Sequence, residues 1–146
     1  MKRSRDLLGA KVFDEKNNYL GVVRGIDYEH KQKNIKGFYI ERNGILSRKM
    51  YFPFNEVAKF GEKEIFIKNP KDLNKVSFPF KSYDISYAFN RADTEIGYIA
   101  DFLIDENVGN ILGVEVSLGP FDDINHGRAV YANYTPNEQT GDFIID

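Results

Sequence analysis

Along most of the chain apolar and polar residues alternate with a period of two, and the apolar ones are mainly β-branched or aromatic, a pattern that predicts short strands. In residues 34–41, NIKGFYIE, Phe38 and Ile40 share one face while Tyr39 and Glu41 share the other. Residues 110–117, NILGVEVS, repeat the phase: Val114 and Val116 oppose Glu115 and Ser117. Polar turns rich in Asn and Asp punctuate the strands. DEKNN, after Val12 and Phe13, and NRADT, after Ala88 and Phe89, predict hairpins; EHKQKN and DENVGN link the next pair of strands in each half.

The two halves repeat one pattern. Shifted by 76 residues, Gly21 falls on Gly97, Ile26 on Phe102, Tyr28 on Ile104, Asn34 on Asn110, Ile35 on Ile111 and Gly37 on Gly113. The register then drifts by about four residues, because NGILSRKM is answered by the longer GPFDDINHGRAV. It recovers with Tyr51 on Tyr131, Phe54 on Tyr134 and Gly61 on Gly141, and EIFI closes the first copy as DFIID closes the second. We read a tandem duplication of a unit of about 60–65 residues, each a meander of five or six short strands. Such a meander hides its edges by closing into a small barrel. Gly21, Gly37, Gly97 and Gly113, inside strands, are expected at bulges or tight corners. The expected division is residues 1–68, a linker 69–83 and residues 84–146; Phe78 and Phe80 predict that the linker packs down and that the two units lean on each other.

Composition narrows the setting. The 146 residues contain no cysteine, which excludes disulfides, thiolate zinc sites and cysteine nucleophiles and suits a reducing cytoplasm. The basic opening MKRSRDLLGAKVF is interrupted by Asp6, Gly9 and Lys11, so it does not read as a secretion signal, and no window resembles a membrane helix. The net charge of −2 conceals an asymmetry: residues 1–75 carry 17 Lys and Arg against 10 Asp and Glu, while residues 76–146 carry 3 against 12. These balances of +7 and −9 suit a basic face for an anionic partner, attraction between the halves, or association of copies.

The stretch from LLGAKVF through LGVV and GFYI to YFPFNEV and EIFI closely resembles the PRC-barrel domain, and ISYAFNRADTEIGYIADFLIDENVGNILGVEVS is similar to a second one. The PRC-barrel is the small β-barrel of the photosynthetic reaction centre H subunit and of the C-terminal half of a ribosome maturation factor. The resemblance implies an all-β chain of two PRC-type barrels side by side. The second copy departs from the pattern: it lacks a proline aligned with Pro53, offering Pro136 nearby, its loop from Pro120 to Arg128 differs, and the glycine of LLGAKV is lost in DISYAF. Family members act as binding and assembly modules, so the resemblance implies a non-catalytic adaptor in the style of small bacterial tandem PRC-barrel proteins, with no cofactor.

The residues themselves offer few chemical constellations. There is no Gly-x-Ser-x-Gly element and no Gly-rich phosphate loop, and Asp101, Asp105, Glu106 and Glu115 read as parts of a solvated acidic face, so no enzyme is expected. Asp122, Asp123 and His126 offer two or three metal ligands in one loop, although such loops are ordinarily turns. Lys31, Lys33 and Lys36 on one hairpin, with Tyr28, Tyr39, Arg42, Arg48 and Lys49, combine cations with aromatic rings as single-stranded RNA platforms do; the plainer reading is a solubilised hairpin tip over a filled barrel. The leading expectation is a protein partner bound at a strand edge or loop rim. An RNA- or ribosome-associated module using the basic first copy, and a homo-oligomer joined by the opposite charges, are the alternatives.

Overall fold

Why each half folds as it does is visible in its first hairpin. In the computed structural model, which describes residues 1–44, 47–69, 73–76 and 86–146, β1 (Lys2–Arg3) and a one-turn helix α1 (Ser4–Leu7) precede the hairpin of β2 (Lys11–Asp14) and β3 (Tyr19–Glu29). Asn17 takes the left-handed turn position at φ 65°, and Asp14 N–H donates to Asn18 O at 3.0 Å. At the equivalent place in the second half Asp93 adopts φ 64° and Asn90 N–H donates to Thr94 O at 2.9 Å. Asn and Asp tolerate this conformation better than other side-chain-bearing residues, so both polar turns close in the same way.

The first half continues through β4 (Asn34–Arg42), β5 (Arg48–Pro53), a 3-10 turn at Phe54–Glu56, β6 (Val57–Phe60), β7 (Glu64–Ile67) and β8 (Asn74–Lys75). The second half contains β9 (Tyr87–Phe89), β10 (Glu95–Asp105), β11 (Asn110–Ser117), helix α2 (Pro120–His126), β12 (Ala129–Tyr131), β13 (Tyr134–Pro136) and β14 (Phe143–Ile145). Pairing runs β6-β7-β2-β3-β4-β5 in the first half and β13-β14-β9-β10-β11-β12 in the second, each with one parallel pair, β2 with β7 and β9 with β14. The chain is therefore mostly strand. Of the expected linker 69–83, residues 70–72 and 77–83, Phe78 and Phe80 among them, lie outside the described residues, while residues 73–76 lie along the edge of β5.

Closed barrels were expected, and here the structure corrects the reading. Among the described residues no ladder joins β5 to β6 or β12 to β13, so each half is a rolled but open sheet within one continuous sheet. The outer edge of β5 at Met50 and Tyr51 is taken by β8, and Pro53, which has no N–H to donate, ends the strand before the 3-10 turn. Phe38, Phe52 and Phe60 fill the first interior by ring packing.

The ladders also correct part of the alignment between halves. Tyr131 lies opposite Val114 as Phe52 lies opposite Phe38, and Tyr134 lies opposite Ile145 as Val57 lies opposite Ile67. Tyr131 thus stands for Phe52 and Tyr134 for Val57, because the second half has α2 between β11 and β12 and a shorter link between β12 and β13. The closing segments keep their correspondence: Ile65 lies beside Val12 and Phe143 beside Ala88.

The in-strand glycines are points of close backbone approach. A Cβ on Gly21 would stand 2.8 Å from Glu41 O and one on Gly113 2.8 Å from Tyr131 O; on Gly37 and Gly97 it would come closer still to Phe52 O and Ser117 O. Gly21 and Gly97 meet equivalent carbonyls, as do Gly37 and Gly113.

The halves join where their repeated stretches begin. Asn34 pairs with Asn110 across β4 and β11; Ile35 N–H donates to Gly109 O and Ile111 N–H to Lys33 O, both at 2.8 Å. These two bonds exchange under the 76-residue shift, so they lie about a local pseudo-two-fold. The N-terminus crosses over as well: β1 pairs with β10 through Lys2 opposite Ile104 and Arg3 opposite Leu103. Leu7, Val12, Val23, Phe38 and Ile104 are in one buried cluster and Ala88, Ile111, Val114, Val116 and Phe143 in the other, while Tyr28 and Phe102 pack against both.

Candidate functional site

The β3–β4 turn delivers Tyr28, His30, Lys31 and Lys33 into the junction between halves. His30 stacks on Tyr28 at 5.1 Å between ring centroids, lies 5.1 Å from Phe102 and meets Phe143 edge-on at 4.9 Å. Lys33 Nζ stands 4.9 Å over the Tyr134 ring, a cation–π contact that shares the cation with the second half. Lys31 pairs with Glu138 at 3.0 Å and Lys36 with Glu29 at 3.4 Å. A groove of about 570 Å³ runs here, lined by His30, Lys31, Lys33, Tyr134, Asn137, Glu138, Gln139 and Ile144 among others.

Burial sets the protonation of this junction. It lowers the His30 pKa below the ordinary imidazole value, and it pushes the Tyr134 hydroxyl up to about 12. Tyr28 is raised further by burial, opposed by its hydrogen bond with Ser4. Among the described residues, His30 Nδ1 and the Tyr134 hydroxyl are buried without a hydrogen-bond partner. An imidazole in such a place is held neutral.

A second cluster secures the N-terminal crossing. Asp101 and Glu115, both 3% exposed, face each other across β10 and β11, where two like charges would repel. Cations surround them. Arg3 Nε donates to Glu115 at 2.7 Å, Arg128 reaches Glu115 at 3.2 Å, Arg5 lies 3.6 Å from Asp101, and Ser4 hydrogen-bonds Asp101. Burial raises the Glu115 pKa, but hydrogen bonds from Arg3 and Arg128 outweigh it and leave the carboxyl below its usual value. The opposite charges of the halves therefore meet within one chain.

The remaining residues singled out by sequence are dispersed. Tyr39 and Tyr51 pack ring to ring at 5.0 Å, and the Tyr51 hydroxyl donates to Asp27 at 2.9 Å. Arg42 lies over the Tyr19 ring, and Arg48 and Lys49 occupy the start of β5, opposite Arg42 and Glu41 of β4 and away from the β3–β4 turn. The proposed cations thus form two groups. Asp122, Asp123 and His126 lie on α2: Asp123 accepts from Ser117 at 2.7 Å and from Arg128 at 3.0 Å, which anchors the helix. Among the described residues no group of three or more His, Asp and Glu could hold a metal ion.

Two features were missed by sequence reasoning. One is His30, which belongs to no pattern in the sequence: of its aromatic neighbours only Tyr28 is close in the chain, while Phe102 and Phe143 are more than seventy positions away and come to it where Asn34 pairs with Asn110. The second is α2, which links β11 to β12 and where Phe121 and Ile124 are 78% and 84% exposed; Val130 of β12 is 52% exposed. The signal was present in the longer loop GPFDDINH, with its proline at a helix start.

Two rolled halves of one largely antiparallel sheet, with one parallel pair each and a shared aromatic junction, define a small all-β architecture. A model of the PRC-barrel domain matches residues 1–74, half of the chain, and the chain belongs to the PRC-barrel family. Comparison with curated proteins finds no match. No helix among the described residues is long and apolar enough to cross a membrane.

Proposed function

We propose that this chain is a non-catalytic, cytoplasmic adaptor: a PRC-barrel domain followed by a divergent second copy of the same domain at residues 84–146, which together bind another protein. The repeated order of strand pairing and the pseudo-two-fold at Asn34 and Asn110 support the second copy. The observation that carries the binding reading is the contrast between occupied and open surfaces. Lys31, Lys33 and Lys36 are engaged by Glu138, Tyr134 and Glu29, whereas Phe121 and Ile124 of α2 and Val130 of the following edge strand β12 stand exposed. Exposed apolar residues on an edge strand and on the helix that leads into it suit a protein partner.

The engaged lysines weaken the RNA reading, since a phosphate ligand would have to compete with Glu138 and Glu29 for two of them. Capture of the tagged protein's partners from its own cell lysate at low salt, with and without ribonuclease, tests both. Proteins retained in both conditions are expected. RNA or ribosomal components that disappear with ribonuclease, and disappear equally when Lys31, Lys33 and Lys36 are changed to glutamate, would overturn the protein reading.

A further inference from the structure

The pseudo-symmetric relation between halves leaves one position filled in the first and open in the second. In the first half β8 pairs antiparallel with β5, Lys75 opposite Met50 and Asn74 opposite Tyr51, and Val76 N–H donates to Lys49 O at 3.1 Å. Leu73, just before this strand, packs against the first core. Ladder positions make Ala129 and Val130 the counterparts of Met50 and Tyr51, since Val116 and Glu115 lie opposite them as Ile40 and Tyr39 lie opposite the first pair. Met50 and Tyr51 are half-buried. Ala129 and Val130 are exposed, and among the described residues β12 pairs only with β11.

We propose that this edge of β12, with Phe121 and Ile124 of α2, receives an extended segment of a partner protein in which an apolar residue is followed within two or three positions by a lysine. The segment adds a strand to β12 as Leu73–Val76 adds one to β5, and its apolar residue packs on the side of α2. The occupant's character follows from two observations. The molecule already places such a segment on the equivalent edge, and the second half, with its balance of −9, attracts a cation. Asp123, anchored by Ser117 and Arg128, fixes the inner side of α2 and turns Phe121 and Ile124 outward. This inference rests on the protein-binding reading and names its surface.

The probe is a synthetic peptide with the sequence of residues 71–78, KDLNKVSF, added to the full chain at up to about 1 mM, since a short strand binds weakly. Hydrogen exchange at the amides of residues 129–131 is expected to slow several-fold, and Phe121→Asp with Ile124→Asp, both at exposed positions, is expected to weaken binding about tenfold or more while leaving the circular dichroism unchanged. A peptide carrying Asp in place of its leucine should not protect the edge. No protection at residues 129–131, or protection that the double variant leaves intact, would overturn the proposal. So would self-association of the chain that the double variant abolishes, which would assign the edge to a second copy. If lysate capture retains a protein partner equally on wild type and double variant, the adaptor reading stands and this surface falls; if it retains none, the adaptor reading itself falls.

Discussion

At the scale of single residues, backbone approach and burial decide the outcome. A methyl group on Gly97 would press against the Ser117 carbonyl, so Gly97→Ala is expected to cost about 2 kcal/mol or more in denaturant unfolding. Gly44, whose added Cβ would meet no described residue within 4 Å, is the control: Gly44→Ala should change stability by about 0.5 kcal/mol or less. His30 makes a pH-dependent contribution. Because burial lowers its folded pKa below its unfolded value, the unfolded chain binds more protons as pH falls through about 6.5, and stability declines with acidification there. His30→Phe retains an aromatic ring among Tyr28, Phe102 and Phe143 and should flatten the drop in urea midpoint between pH 7.5 and pH 5.5; an unchanged slope would assign that dependence to other groups.

At the scale of elements, the N-terminal crossing is the contact most dependent on charge. β1 and α1 belong to the basic half in sequence yet lie on β10, held by Arg3 on Glu115 and Arg5 on Asp101. Glu115→Gln removes the charge that Arg3 and Arg128 share, and the expected result is a lower melting temperature with faster hydrogen exchange at residues 103 and 104. The depressed Glu115 pKa means its contribution is present above its unfolded pKa near 4.5 and is lost as pH falls through the folded value, so the wild type and variant should converge in strong acid. The short helix α2 behaves differently. Its inner contacts are polar, and its apolar residues face outward, which is why substitution of Phe121 or Ile124 should leave stability within about 0.5 kcal/mol.

At the scale of the whole molecule, the halves are not independent. Tyr28 and Phe102 pack against both cores, Ile104 of β10 completes the first, and the Asn34–Asn110 pair joins the sheets. Calorimetry should therefore show one cooperative transition, and two separated transitions would contradict this coupling. The charge asymmetry is used internally by Met1 with Glu106, Arg3 with Glu115, Arg5 with Asp101 and Lys31 with Glu138. Raising salt should accordingly lower the melting temperature, with no change in sedimentation if opposite charges do not join copies.

The alternation of apolar and polar positions determined the strands by itself, because side chains on successive residues of a strand must face opposite sides. Turn residues such as Asn17 and Asp93 determined the hairpins locally, and the repeat of Gly21 and Gly37 as Gly97 and Gly113 was legible because each occupies a position where a Cβ meets a carbonyl. Only tertiary structure decided that the sheets stay open and that β8 takes the edge of β5 in the first half, pairings between distant residues that no local pattern encodes. It also decided the partners of Lys31, Lys33 and Lys36. Their spacing reads as a basic patch, but Glu138 and Tyr134, remote in sequence, are brought to the same turn when β4 and β11 meet, and proximity in space rather than along the chain sets which charges are satisfied.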